Sequence, residues 1–177
     1  MKRTTPFLLL AFILSMHIMA CGNSPTEEAL LSEIEQHRSE EKLVEATKAM
    51  EKFVDLFPKS PRRPTMMKEL AILYVGSAKD FRKAIEIYKK IQADYPEDAN
   101  LVAQSQFMAG YIYANDLHEY ENARKEYEEF LERFPNNDLA DDVAWELENL
   151  GKDISQIPLQ QNQGNTKTSR PKQTMQQ

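Results

Sequence analysis

The feature that most constrains the fold is a stripe of small and aromatic residues that recurs three times at nearly constant spacing. In Ala123–Pro135, ARKEYEEFLERFP, the stripe is Ala123, Tyr127, Phe130 and Phe134-Pro135. Spacings of 4, 3 and 4 put these side chains on one face of a helix. The same pattern stands at Ala84, Tyr88, Ile91 and Tyr95-Pro96, and again at Ala46, Met50, Phe53 and Phe57-Pro58. An apolar residue precedes each alanine by three positions: Tyr120, Phe81 and Leu43. Alanine to proline is twelve residues in every copy, and the copies are offset by 38 and 39. Such a period marks a repeat architecture, in which each unit covers an apolar face of its neighbour.

The apolar spacing predicts seven helices and no strand. The first runs over 27–37, with Thr26 as N-cap and Leu30, Leu31 and Ile34 inward. The second covers 41–57, with Leu43, Ala46, Met50, Phe53 and Phe57 inward, and is stopped by Pro58. Ser60-Pro61 opens the third, whose apolar face is Met67, Leu70, Ala71 and Tyr74. A turn follows at Gly76–Lys79, and Asp80 caps the fourth helix, which ends at Tyr95-Pro96. The fifth covers 98–114, the sixth 119–134 and the seventh 139–150. Asp138 with Asp141 is expected to cap the seventh, whose apolar residues are Leu139, Val143, Ala144, Leu147 and Leu150, and Gly151 to end it. Beyond Pro158 the chain is rich in Gln and poor in large apolar residues, which predicts a disordered tail over 156–177.

The N-terminus reads as a targeting segment over 1–20. Lys2 and Arg3 precede the unbroken apolar run Phe7–Leu14, which is too short to span a bilayer. Ile18-Met19-Ala20-Cys21 then resembles the lipobox of bacterial lipoproteins, in which the leader is cut before the cysteine and the cysteine carries lipid. Cys21 is the single cysteine of the chain, so it has no disulfide partner within it. The resemblance implies lipidation, palmitate included, at Cys21, with 21–26 as a tether. Gly22 is not the aspartate that retains such proteins in some inner membranes, so the expected destination is the cell envelope, at the outer membrane.

The repeat itself has a family likeness. Ala71-x-x-Tyr74, Ala84, Tyr88 and Pro96, followed by Gly110-x-x-Tyr113, Ala123, Tyr127 and Pro135, resemble the tetratricopeptide repeat. The first copy keeps Ala46, Met50 and Pro58. The likeness implies an all-α, right-handed α-solenoid of about three helical pairs plus a capping helix, here over 27–155. The units are longer than the usual ~34 residues. That lengthening resembles the repeats of BamD-like envelope lipoproteins of β-barrel assembly.

Nothing in the chain arranges catalytic chemistry, and no enzyme, cofactor or metal site is expected. His37 and His118 fall in turn regions, far apart in sequence. The acidic residues of the sixth helix alternate with Arg124, Lys125 and Arg133, the pattern of a solvated face. Trp145 is expected to pack at the end of the stack. The formal charge of −6 gives no field that attracts nucleic acid.

What remains is a binding surface for an envelope protein or peptide. In the family resembled, the first helix of each pair lines the groove that holds partners. Carried over through Gly110 and Tyr113, the groove residues are Gln104, Phe107, Tyr111, Ala114 and Asn115; through Ala71 and Tyr74 they are Thr65, Lys68, Ile72 and Val75. Two narrower roles are open as well: an accessory part in outer-membrane β-barrel assembly, and one in cell-wall metabolism.

Overall fold

The computed structural model describes residues 24–152. The leader, Cys21 and the tail beyond 152 lie outside the described residues. Among the described residues there are seven α-helices and no strand. They are α1 (Glu27–Ser39), α2 (Leu43–Leu56), α3 (Arg63–Leu73), α4 (Phe81–Asp94), α5 (Ala99–Asn115), α6 (Tyr120–Arg133) and α7 (Ala140–Asn149). They form two compact units, 24–66 and 67–152.

In the first unit, α1 packs on α2. The Thr26 hydroxyl accepts from the Ala29 N–H at 3.2 Å and so caps α1, as its sequence predicts. Leu30 and Ile34 of α1 are buried, as are Ala46, Ala49, Met50, Phe53 and Val54 of α2. Phe57 caps α2 with its ring 5.4 Å from that of Phe53. The buried Arg63 donates from Nε to the Val54 carbonyl at 2.9 Å, which satisfies one of the carbonyls that the end of α2 leaves open.

In the second unit the helices pack in chain order: α4 on α5, α5 on α6, α6 on α7. This nearest-neighbour stacking of helical pairs is the solenoid arrangement. Ala84, Tyr88 and Ile91 of α4 are buried, and so are Ala123, Tyr127 and Phe130 of α6. The recurring stripe is therefore core. Asp80 and Asp98 cap α4 and α5, accepting from the Lys83 N–H at 3.1 Å and the Leu101 N–H at 3.0 Å. Gly151 adopts φ +75° just past α7, a left-handed turn that a glycine makes without strain.

The helices α5 and α6 approach each other closely at Gly110. A Cβ placed on Gly110 would lie 2.5 Å from Cε1 and 2.8 Å from Cδ1 of the Tyr127 ring. Only a residue without a side chain fits there. Polar links tie this crossing to α4 as well. The fully buried Gln106 donates from Nε2 to the Glu126 carbonyl at 3.3 Å and accepts at Oε1 from Arg133 Nη1 at 3.3 Å. Glu126, almost fully buried, pairs with Lys89, and Arg82 pairs with Glu119. Both pairs, and the weak contact between Asn100 and Asn137, span 37 residues, close to one repeat.

Five expectations are corrected. The segment Gly76–Lys79 is not a simple turn: α3 widens into a π-helical turn over Tyr74–Ala78, and Lys79, at φ +55°, ends it by donating its N–H to the Tyr74 carbonyl. Leu43, expected inward, lies on the first turn of α2, off the packed stripe, and is 41% exposed. Asp138 and Asp141 do not cap α7; Asn137 Oδ1 accepts the Leu139 N–H at 3.0 Å instead. His37 is not in a turn but in the last turn of α1, four residues from Glu33, whose carboxylate lies 3.8 Å away. Trp145 is not the packing residue of α7. Val143 is buried there, and the indole is 39% exposed.

Gly110→Ala is expected to destabilise the chain by about 1–3 kcal/mol, because the added methyl must displace the ring of Tyr127. Gly110→Leu is expected to cost more. Urea or thermal unfolding measures both, and a variant as stable as wild type would contradict the crossing described.

Candidate partner-binding face

The helix α5 has two faces of different character. Val102, Ala103, Ser105, Gln106, Ala109, Gly110, Ile112 and Ala114 are buried. Gln104, Tyr111 and Asn115 are exposed, and Phe107 is half-buried. The helical register explains the division. Ala103, Phe107, Gly110 and Ala114 follow one another at 4, 3 and 4, and that line faces α6. Gln104, Tyr111 and Asn115 fall on the neighbouring line, which faces solvent.

Ala114 is thus corrected: it is 6% exposed and belongs to the core cluster with Ala103, Tyr127, Phe130 and Val143. Phe107 stands at the boundary. Its ring lies 6.3 Å from that of the buried Tyr127 and 6.1 Å from that of the exposed Tyr111. Tyr111 therefore rests on an anchored neighbour. The Asn115 amide donates from Nδ2 to the Tyr111 carbonyl at 3.2 Å and lines the same cleft as Glu146 of α7.

On α3, Ile72 is exposed and Lys68 is half-buried. Thr65 is exposed and Val75 half-buried. Lys68 and Ile72 sit four residues apart on one line of their own helix.

A cleft of about 380 Å³ adjoins the end of the α5 stripe. Asn115 at the end of α5, His118 just before α6, Tyr120 at its start, and Trp145, Glu146 and Lys152 around the end of α7 contribute to its walls. His118 adopts φ +54°, with its Nδ1 3.3 Å from the Ala114 carbonyl and its ring 6.2 Å from that of Tyr120. Sequence reasoning about the groove did not find this cleft. Its signal was Tyr120, an amphipathic ring where the other copies carry Leu43 and Phe81.

Among the groups whose titration is shifted are one carboxyl and one phenol on either side of the α6–α7 contact. Burial pushes the Glu146 carboxyl above its ordinary value; the Asn115 hydrogen bond opposes the shift, and Asp142 adds to it. Burial, with the negative charge of Glu146 behind it, also pushes the Tyr127 phenol up, and the Tyr127 hydroxyl is buried without a hydrogen-bond partner. Among the described residues no cluster of His, Cys, Asp or Glu is placed to hold a metal ion, and no helix is long and apolar enough to cross a membrane.

Residues 69–98 and 104–137 match the family model of the tetratricopeptide repeat. The two segments coincide with the end of α3 through α4 and with most of α5 through α6. Both segments form helical pairs, as that repeat does, and the repeat generally binds proteins without catalysing reactions. No curated protein matches the chain.

The Glu146 shift predicts a pH dependence. Its folded value lies above the ordinary 4.5, so the folded chain holds this proton more tightly than the unfolded chain. The contribution to stability is full below pH 4.5 and is lost as pH rises through the folded value. Glu146→Gln is therefore expected to melt above wild type at neutral pH, with the gap closing on acidification. Thermal melts across that range check it; a gap independent of pH would contradict the assigned cause.

Proposed function

We propose that this chain is a lipid-anchored module of the cell envelope that holds a protein partner on the exposed faces of its tetratricopeptide pairs and performs no chemistry itself. The observation that carries the reading is Tyr111. It is a large amphipathic ring, 39% exposed, on the first helix of a tetratricopeptide pair and backed by the half-buried Phe107. Aromatic side chains dominate protein interfaces because they remove much area from water at little entropic cost. Gln104 and Asn115 flank it with amides, and Lys68 and Ile72 supply a charge and an apolar contact on α3.

The anchor is supported by the sequence alone. A basic start, an apolar run and Ile18-Met19-Ala20-Cys21 make Cys21 the lipidated residue, and an acidic chain has no other strong attraction to an anionic membrane. One acyl chain binds marginally, whereas two or more hold firmly. An outer-membrane position follows from Gly22 after the cysteine.

The deciding experiment is a crosslinking pull-down from intact cells with wild type and Tyr111→Ser. Wild type is expected to capture a specific envelope protein, and Tyr111→Ser to lose it at unchanged melting temperature. Equal capture by both would remove the stripe from the interface.

A separate variant, Cys21→Ala, tests the anchor. It is expected to shift the protein to the soluble envelope fraction or to stall processing. A cleaved variant that still pellets with membranes would rule out attachment through Cys21.

A further inference from the structure

The helix α7 stands where the first helix of a further pair would stand, and among the described residues no second helix follows it. It buries Val143 on the side of α6 and leaves Trp145 exposed and Leu147 and Leu150 half-buried. The cleft beside it combines an indole, the Tyr120 ring and Leu150 with a half-buried carboxylate. Such a mixed wall is costly to leave to water.

The chain itself turns toward this cleft. Past α7, Gly151 takes φ +75° and its Cα–H face lies against the Tyr120 ring, where an added Cβ would sit 3.4 Å from Cδ2. The Lys152 N–H then donates to the Asn149 carbonyl at 3.0 Å, and Lys152 forms part of the cleft wall. The backbone thus leaves α7 across the mouth of the cleft, and the chain continues to Gln177. The first residues it meets after Asp153 are ISQIPL, with Ile154, Ile157, Pro158 and Leu159. From Gln160 onward Met175 is the single large apolar side chain.

We propose that Ile154–Leu159 folds back into this cleft and lays its aliphatic side chains against Trp145 and Tyr120, completing the last repeat in place of a second helix. The reach is short: an extended chain advances at most ~3.3–3.6 Å per residue, so all six residues lie within about 25 Å of Lys152. The tether keeps the segment at an effective concentration of order millimolar, so a weak contact suffices. Pro158 fixes its own φ and biases Ile157 to an extended conformation, which lowers the entropy lost on docking. The proposal stands apart from the partner reading, because it concerns the cleft and not the Tyr111 stripe.

Trp145 is the single tryptophan of the chain, so its fluorescence reports this cleft alone. The test compares the purified full chain with the same chain carrying Ile154→Ser, Ile157→Ser and Leu159→Ser. The variant is expected to emit at longer wavelength and to be quenched more strongly by acrylamide, and added ISQIPL peptide to reverse both changes. Identical emission and quenching in the two chains would overturn the proposal. So would a red shift that the peptide does not reverse, which would mark a general loss of packing. A wild-type emission that varies with protein concentration would also overturn it, by assigning the cleft to a second copy of the chain.

Discussion

The contact of the Tyr127 ring with the bare backbone of Gly110 sets the spacing on which the second unit depends. A glycine inside a helix costs about 1 kcal/mol relative to alanine. Here it lets a fully buried aromatic ring come where a methyl would overlap it at 2.5 Å. Burying such a ring is worth about 1.5–3 kcal/mol, enough to offset the helix penalty. With α5 and α6 held this close, Gln106 reaches the Glu126 carbonyl and Arg133, and the Phe107 ring reaches Tyr127. The exposed stripe of α5 inherits its position from that one crossing.

Polar groups then choose the register. Gln106 is fully buried, so both ends of its amide need partners, and it finds them at Glu126 and Arg133 on α6. Glu126 in turn meets Lys89 of α4, so one carboxylate-bearing residue links three helices. A slide of α6 by one turn would leave a buried amide and a buried carboxylate without these partners, which costs far more than their net contribution when satisfied. Apolar packing brings the helices together, and the network admits few alternative alignments.

Much of this was legible in the sequence for a simple reason. The Ala, aromatic and Pro positions are packing positions, and packing has a fixed helical period. The helices, their caps at Thr26 and Asp80, and the core role of Tyr127 and Phe130 could all be read from spacing. The faces of α5 were harder, because Phe107 and Ala114 lie one position from the solvent line and share the register of Gly110. Apolar composition does not separate adjacent lines on a helix that is buried over most of its circumference. The π-helical turn after α3 was illegible for a different reason: Gly76-Ser77-Ala78 fits a turn or a widened helix equally well, and the left-handed Lys79 that decides between them carries no side-chain signal. Trp145 was misplaced because size was taken for depth, when the smaller Val143 fills the interior.

The first and last helices show what a repeat requires at its margins. The start of α1 is tied down: Thr26 caps it, and Glu27 accepts from Ser60 at 2.8 Å and pairs with Arg62 at 3.1 Å. At the other margin, α7 packs mainly on α6 and has no side-chain cap. That asymmetry leaves two groups of α7 incompletely covered. Burial raises the Glu146 carboxyl above its ordinary value, and Trp145 keeps much of its ring in water. An interior repeat would cover both groups with the next helix. A margin left in this state costs stability unless something covers it, and the cheapest cover is a segment already tethered to the same helix.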